Sequence, residues 1–197
     1  EELRPQMPLG REFVELAGGT VAGIEGYEAD DILGTLAEYA NTHAGTSCII
    51  ATGDRDSLQL VSEAASVCLA TNQGDVLYTP EKVRETYRLE PKQLIEVKAL
   101  MGDSSDNIPG VKGIGEKTAL ALITKNGSLQ NILEHLDSID ATPRIKKLIA
   151  EHEAEARMSR TLGEINCHVP LPFDPAALMG KQRQDAALEE FLRKYEL

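Results

Sequence analysis

Apolar positions recur three and four residues apart from Tyr27 to about Asn41, at Ala29, Ile32, Leu33, Leu36, Ala37 and Ala40, and predict one helical face. Before it, residues 1 to about 17 read as a helix ending at Gly18-Gly19, and Thr20 to Glu25 as a short strand broken at Gly26. Ser47-Cys-Ile-Ile-Ala-Thr52 is a compact apolar run of strand length, the pattern of a buried central strand in a parallel sheet. Ala65 to Ala70 reads as a further strand, followed by a turn at Asn72-Gln-Gly-Asp75. Strand, helix, strand, short helix, strand is the order of an α/β layer with right-handed crossovers.

From Pro80 the pattern is helical throughout. Pro80 suits the first turn of one helix and Pro91 the start of the next. Gly115 to about Lys125, Ser128 to about Leu136, and one long charged helix from Pro143 to about Gly163 follow. Pro170, Pro172 and Pro175 mark a looser stretch before a last helix over Asp185–Tyr195. The expected organisation is therefore an α/β core over residues 1–88, a helical domain over 89–175, and a C-terminal helix within 176–197 that leads toward a following domain.

Charge changes this picture first against nucleic acid and then toward it. With 20 Lys+Arg and 32 Asp+Glu the formal net charge is −12, which repels phosphate. The acidity is uneven: residues 1–106 carry 8 bases and 19 acids, whereas residues 107–133 carry Lys112, Lys117 and Lys125 against Glu116 alone. Cys48, Cys68 and Cys167 are scattered, a usage that fits a reducing cytoplasm better than a disulfide framework. No stretch approaches the roughly 20 apolar residues of a membrane span, so no membrane partner is expected.

The acids fall in three clusters. Glu28, Asp30 and Asp31 open the first periodic helix; Asp54 and Asp56 follow the strand ending at Thr52; Asp103 and Asp106 lie in the loop Gly102-Asp-Ser-Ser-Asp-Asn107. Ligands of open α/β sheets gather outside the carboxyl ends of the strands, which places the first two clusters on one edge. Seven carboxylates together repel unless cations lie among them. With no His or Cys nearby they are hard oxygen ligands, suited to two Mg2+ or Mn2+ ions that activate water and stabilise a leaving oxygen. Each cluster also has a plainer reading: acids of a first helical turn favour the helix dipole, and Asp103 and Asp106 suit a turn. An Asp-x-Asp phosphatase with Asp54 as nucleophile is the alternative enzyme class.

Ile108-Pro-Gly-Val-Lys-Gly-Ile-Gly-Glu-Lys-Thr-Ala119 is the second informative segment. Gly113 and Gly115 precede a helix, so backbone N–H groups can face a phosphate without a Cβ in the way, and Lys112 and Lys117 flank the turn. This suits a helix-hairpin-helix turn that grips a nucleic-acid backbone without reading sequence; a tight interhelix turn with incidental lysines is the alternative.

Gly26-Tyr-Glu-Ala-Asp-Asp-Ile32, Ala51-Thr-Gly-Asp-Arg-Asp-Ser57 and the run from Gly102 to Ala119 together resemble the 5′-nuclease (flap endonuclease) family, in the form carried by bacterial DNA polymerases. The resemblance runs over essentially the whole chain. It implies a PIN-like parallel-sheet core followed by a helical domain with a helix–two-turn–helix DNA-binding element. It assigns Glu28, Asp30 and Asp31 to a first metal, and Asp54, Asp56, Asp103 and Asp106 to a second. It places duplex contacts at Lys112, Gly113, Gly115, Lys117 and Thr118, with K+ bound by backbone carbonyls of that turn. The implied partner is DNA with 5′ flaps, nicks or 5′ ends, cut by a monomer continuous with a polymerase. The family's first strand and its helical arch have no counterpart here, so the chain is expected to be an N-terminally truncated piece that binds branched DNA and cuts it poorly. His43, His135, His152 and His168 match no catalytic position, and Cys48 and Cys68 read as core residues.

Overall fold

The computed structural model describes residues 4–178 and 182–196. These form two compact units, one running up to Ile32 together with Val169 onward, the other Leu33–His168.

In the first unit a 3-10 turn, Arg4–Gln6, leads into α1 (Met7–Leu16). The last helix, α9 (Asp185–Tyr195), packs on α1 through Phe191, whose ring centroid lies 6.2 Å from that of Phe13. The Gln184 N–H donates to the Leu16 carbonyl at 2.9 Å. Thr20–Glu25 is not a strand: Gly23 interrupts it and Val21 is exposed. Strand structure requires a neighbour to pair with, and among the described residues that segment has none.

The division between the units falls within α2 (Ala29–Thr42), whose later turns enter the second unit. There β1 (Cys48–Thr52) pairs in parallel with β2 (Ala65–Leu69), and β2 pairs antiparallel with β3 (Val76–Tyr78). The sheet is therefore mixed. β3 escapes the sequence pattern because three residues are too few to show alternation. The middle strand among those described is β2, not β1. β1 is buried on one face only, with Ile50 2% and Ile49 68% exposed, so its continuous apolar run reflects composition rather than two-sided burial. Ile50, Val67 and Leu69 pack with Ala37 of α2 and with Leu58 and Leu60 of the 3-10 turn Arg55–Leu60.

The helices α3 (Pro80–Tyr87), α4 (Gln93–Met101), α5 (Glu116–Asn126) and α6 (Leu129–Glu134) follow, with Thr79 and Ser128 capping α3 and α6. The predicted long helix breaks at His152 into α7 (Pro143–Glu151) and α8 (Glu153–Gly163), because His152 leaves helical geometry at φ −120°. Their core gathers Leu100, Ile123, Leu129, Ile132 and Ile149, and Tyr87 and Leu94 touch both this cluster and the sheet cluster. Residues 95–100 of α4 are all buried, including Glu96 and Lys98. Glu96 takes the Leu129 N–H (2.9 Å) and the Arg160 Nε–H (2.7 Å), joining α4 to α6 and α8.

Candidate metal centre and nucleic-acid interface

Asp56 owes its position to the turn that leaves β1. Asp54 caps that turn, its Oδ1 accepting the Asp56 N–H at 2.9 Å, while its own N–H donates to Thr52 Oγ1 at 3.0 Å. The inner side of the turn is buried and clamped by Gln59, which donates to the Gly163 carbonyl and accepts from the Ile165 N–H, both at 3.0 Å. Asp103 and Asp106 come from the end of α4. Gly102 leaves the helix at φ +73°, and Asp103 and Ile108 exchange two backbone hydrogen bonds of 2.8 Å, closing a tight loop. Within it Asp103 Oδ1 accepts the Ser105 N–H at 2.8 Å.

The two sources meet at Lys98. Its Nζ donates to Asp56 Oδ2 and, at 2.8 Å, to Asp106 Oδ2, and lies 3.1 Å from Asp103 Oδ2. The lysine side chain is 7% exposed. One oxygen from each of the three carboxylates lies within 4.8 Å of the others. Burial opposes the Lys98 charge, but hydrogen bonds to Asp106, Asp56 and Asp103 outweigh it and hold the ammonium above its ordinary pKa. Bonds from Ser105, then from Lys98, hold Asp103 at about 2, whereas burial pushes Asp56 up. A cavity of about 130 Å³ opens beside the group, bordered by Arg55, Tyr87 and Met101 as well as Asp56, Lys98 and Asp103.

Of the seven expected acids the structure thus brings together Asp56, Asp103 and Asp106. Asp54 sits exposed beside Asp56 as the turn's cap, outside the three-carboxylate group. Glu28, Asp30 and Asp31 lie in the first unit, where Asp31 Oδ2 accepts the Glu28 N–H at 3.2 Å at the start of α2. Among the described residues no strand precedes them. Lys98 was not anticipated: a lysine in Gln93–Met101 reads as an ordinary solvated helix position. The usable signal was that it shares with Glu96 a helix otherwise almost wholly apolar, where a charge must find a partner.

The glycine turn joins α4 to α5. Gly110 sits at φ +60° against Gly102, where a Cβ would come within 2.2 Å of the Gly102 nitrogen; its N–H donates to Ser159 Oγ at 2.9 Å. Gly113 has φ +93°, and Gly115 caps α5, its carbonyl accepting the Thr118 and Ala119 N–H groups at 3.0 Å each. Lys112 and Lys117 are exposed on this turn, while Lys125 is paired with Asp140.

The donor set fits a hard divalent cation. Three carboxylates offer oxygen ligands alone, and the group already holds a positive charge at its centre.

Residues 1–88 match the family model described as 5′-3′ exonuclease, N-terminal resolvase-like domain, and residues 89–186 the one described as 5′-3′ exonuclease, C-terminal SAM fold. The thermostable DNA polymerase I of Thermus thermophilus is 41% identical over 196 residues, covering 100% of this chain and 23% of that protein. DNA polymerase I of Chloroflexus aurantiacus is 43% identical over 197 residues (97% and 21%). A 5′-3′ exonuclease of Bacillus subtilis is 42% identical over 199 residues, covering 100% of this chain and 65% of that protein. The chain thus spans less than a quarter of these polymerases. Among solved structures, T5 5′-exonuclease with bound zinc superposes with a TM-score of 0.64 at 24% identity, over 86% of this chain and 60% of that one. The catalytic core of Rad2 in complex with DNA substrate gives 0.60 at 18% identity, over 98% and 65%.

An α/β resolvase-like part followed by a helical SAM-like part is the nuclease class that this fold defines. The chain belongs to the 5′-3′ exonuclease family, which removes the Asp-x-Asp phosphatase alternative.

Proposed function

We propose that this chain is the 5′-nuclease part of a DNA polymerase I, hydrolysing DNA phosphodiesters at 5′ flaps, nicks and 5′ ends during primer removal and repair. The observation that carries the reading is the convergence of Asp56, Asp103 and Asp106 on one cation, at the end of the helix from which the glycine turn departs. Asp56, Asp103 and Asp106, with Asp54 beside them, would hold one Mg2+ or Mn2+, and Glu28, Asp30 and Asp31 another. Such ions supply Lewis-acid stabilisation of a phosphodiester and activate water at neutral pH. The chain's own residues orient these carboxylates: Gln59 fixes the Asp56 turn, Ser105 fixes Asp103, and Lys98 draws the three together while offsetting one of their charges. Lys112, Gly113, Gly115, Lys117 and Thr118 would hold the duplex backbone, with K+ on the turn's carbonyls, so that base identity matters little. The protein acts as a cytoplasmic monomer, in keeping with the free thiols of Cys48, Cys68 and Cys167. The test is cleavage of an end-labelled 5′-flap duplex in Mg2+ by the intact protein and its Asp56→Ala form. Cleavage should fall by about 100-fold or more in the variant while duplex binding persists; undiminished cleavage overturns the assignment.

A further inference from the structure

We propose that α7 carries a second cationic strip that extends the glycine turn's grip on duplex DNA, through Arg144 and Lys147. This rests on the DNA-binding reading above and adds a surface to it. α7 packs directly on the turn: Leu148 Cδ1 lies 3.3 Å from where a Cβ on Gly113 would be. Residues three and four apart are neighbours on a helix, so Arg144 lies beside both Lys147 and Leu148, the side chain that meets the turn. Both are exposed.

The charges of this region are unequally spent. Between residues 107 and 151 there are six bases, Lys112, Lys117, Lys125, Arg144, Lys146 and Lys147. Lys125 is paired with Asp140, and Lys146 donates to the Asp137 carbonyl at 2.6 Å. Lys147 has one long, exposed contact of 3.6 Å to Glu151, which a phosphate can displace. Among the described residues, Lys112, Lys117 and Arg144 have no ion-pair partner. In a chain of charge −12, the unneutralised cations of this region therefore lie on the turn and on the helix packed against it. The complementary partner is a polyanion of regular spacing. Duplex DNA presents one charge per about 3.4 Å of axis on each strand, so a strip of two cations about 5–6 Å apart meets one or two phosphates beyond those reached by the turn.

The test is fluorescence anisotropy of a labelled duplex in EDTA, titrated with the whole chain at salt concentrations from 50 to 200 mM. It compares the wild type with Arg144→Ala/Lys147→Ala and with the charge-keeping Arg144→Lys/Lys147→Arg. Each lost phosphate contact lowers the slope of log K against log salt by about 0.9. The alanine pair should therefore lose nearly 2 from the slope and bind about 10-fold or more weakly at low salt, while the charge-keeping pair matches the wild type. A thermal melt checks that both exposed substitutions leave the fold intact. Normal binding with an unchanged slope in the alanine pair overturns this inference alone. A wild-type chain that binds no duplex overturns the DNA-binding reading and the strip together.

Discussion

Lys98→Met tests whether the ammonium is the counter-charge of the carboxylate group. Methionine keeps the stem volume in a position that is 7% exposed, so the change removes charge and little else. Two carboxylates about 5 Å apart repel by about 3 kcal/mol at an effective dielectric of about 20, a repulsion that the ammonium between them offsets. Removing one partner of a fully buried ion pair costs about 3–5 kcal/mol. Here Asp56, Asp103 and Asp106 are 27%, 24% and 50% exposed, so water screens them and roughly half of that, about 2 kcal/mol, is expected. In a chain of this length that lowers the melting temperature by about 6 °C. The assay is a thermal melt at pH 7.5 in EDTA and again in MnCl2. The variant should melt lower in EDTA and gain more from Mn2+ than the wild type, because carboxylates left without a cation bind the ion without displacing one. Equal melting temperatures in EDTA together with equal gains in Mn2+ would refute the reasoning.

Gly110→Ala drives a Cβ against the Gly102 backbone and forces alanine to φ +60°, for about 3 kcal/mol of strain and overpacking; the urea midpoint reads the loss, and a wild-type midpoint contradicts it. Asp103 is held at about 2, below the usual 3.8, so it stabilises the fold above about pH 3.8 and the contribution is lost as pH falls toward 2. Asp103→Asn should accordingly flatten the acid limb of a pH–stability curve, and an unchanged limb would count against the cluster. Arg160→Met strips the main partner from Glu96, which is 10% exposed, and should cost about 2 kcal/mol. Arg157→Ala, which breaks an exposed pair with Glu153, should cost under about 0.5 kcal/mol; similar urea midpoints for the two variants would contradict that ranking.

Much of the helical part was legible because its punctuation is local. Pro80 and Pro143 sit in first turns, Thr79, Ser128 and Thr142 cap through their side chains, and α9 spans the predicted residues. Thr20–Glu25, the exposed face of β1 and the short β3 were misread or missed because strand status depends on neighbours, which a linear pattern does not contain. The break at His152 was invisible for a related reason: amphipathic spacing continues across it, and only packing sets the angle between α7 and α8. At the site, the acids announced themselves by type and placement beside loops. Lys98 did not, because its role follows from the burial of α4 rather than from any motif.

The Gln59 clamp bears on when, during synthesis, the carboxylate group can take shape. The turn that aims Asp56 is closed by backbone groups 104 and 106 positions further along, at Gly163 and Ile165. On the ribosome that closure must wait until residue 165 has emerged from the exit tunnel, well after β1, Asp56 and Asp103 have been made. An emerging or prematurely ended chain therefore carries its acids without the latch that aims them. The order of synthesis itself withholds the gathered carboxylate geometry from incomplete molecules.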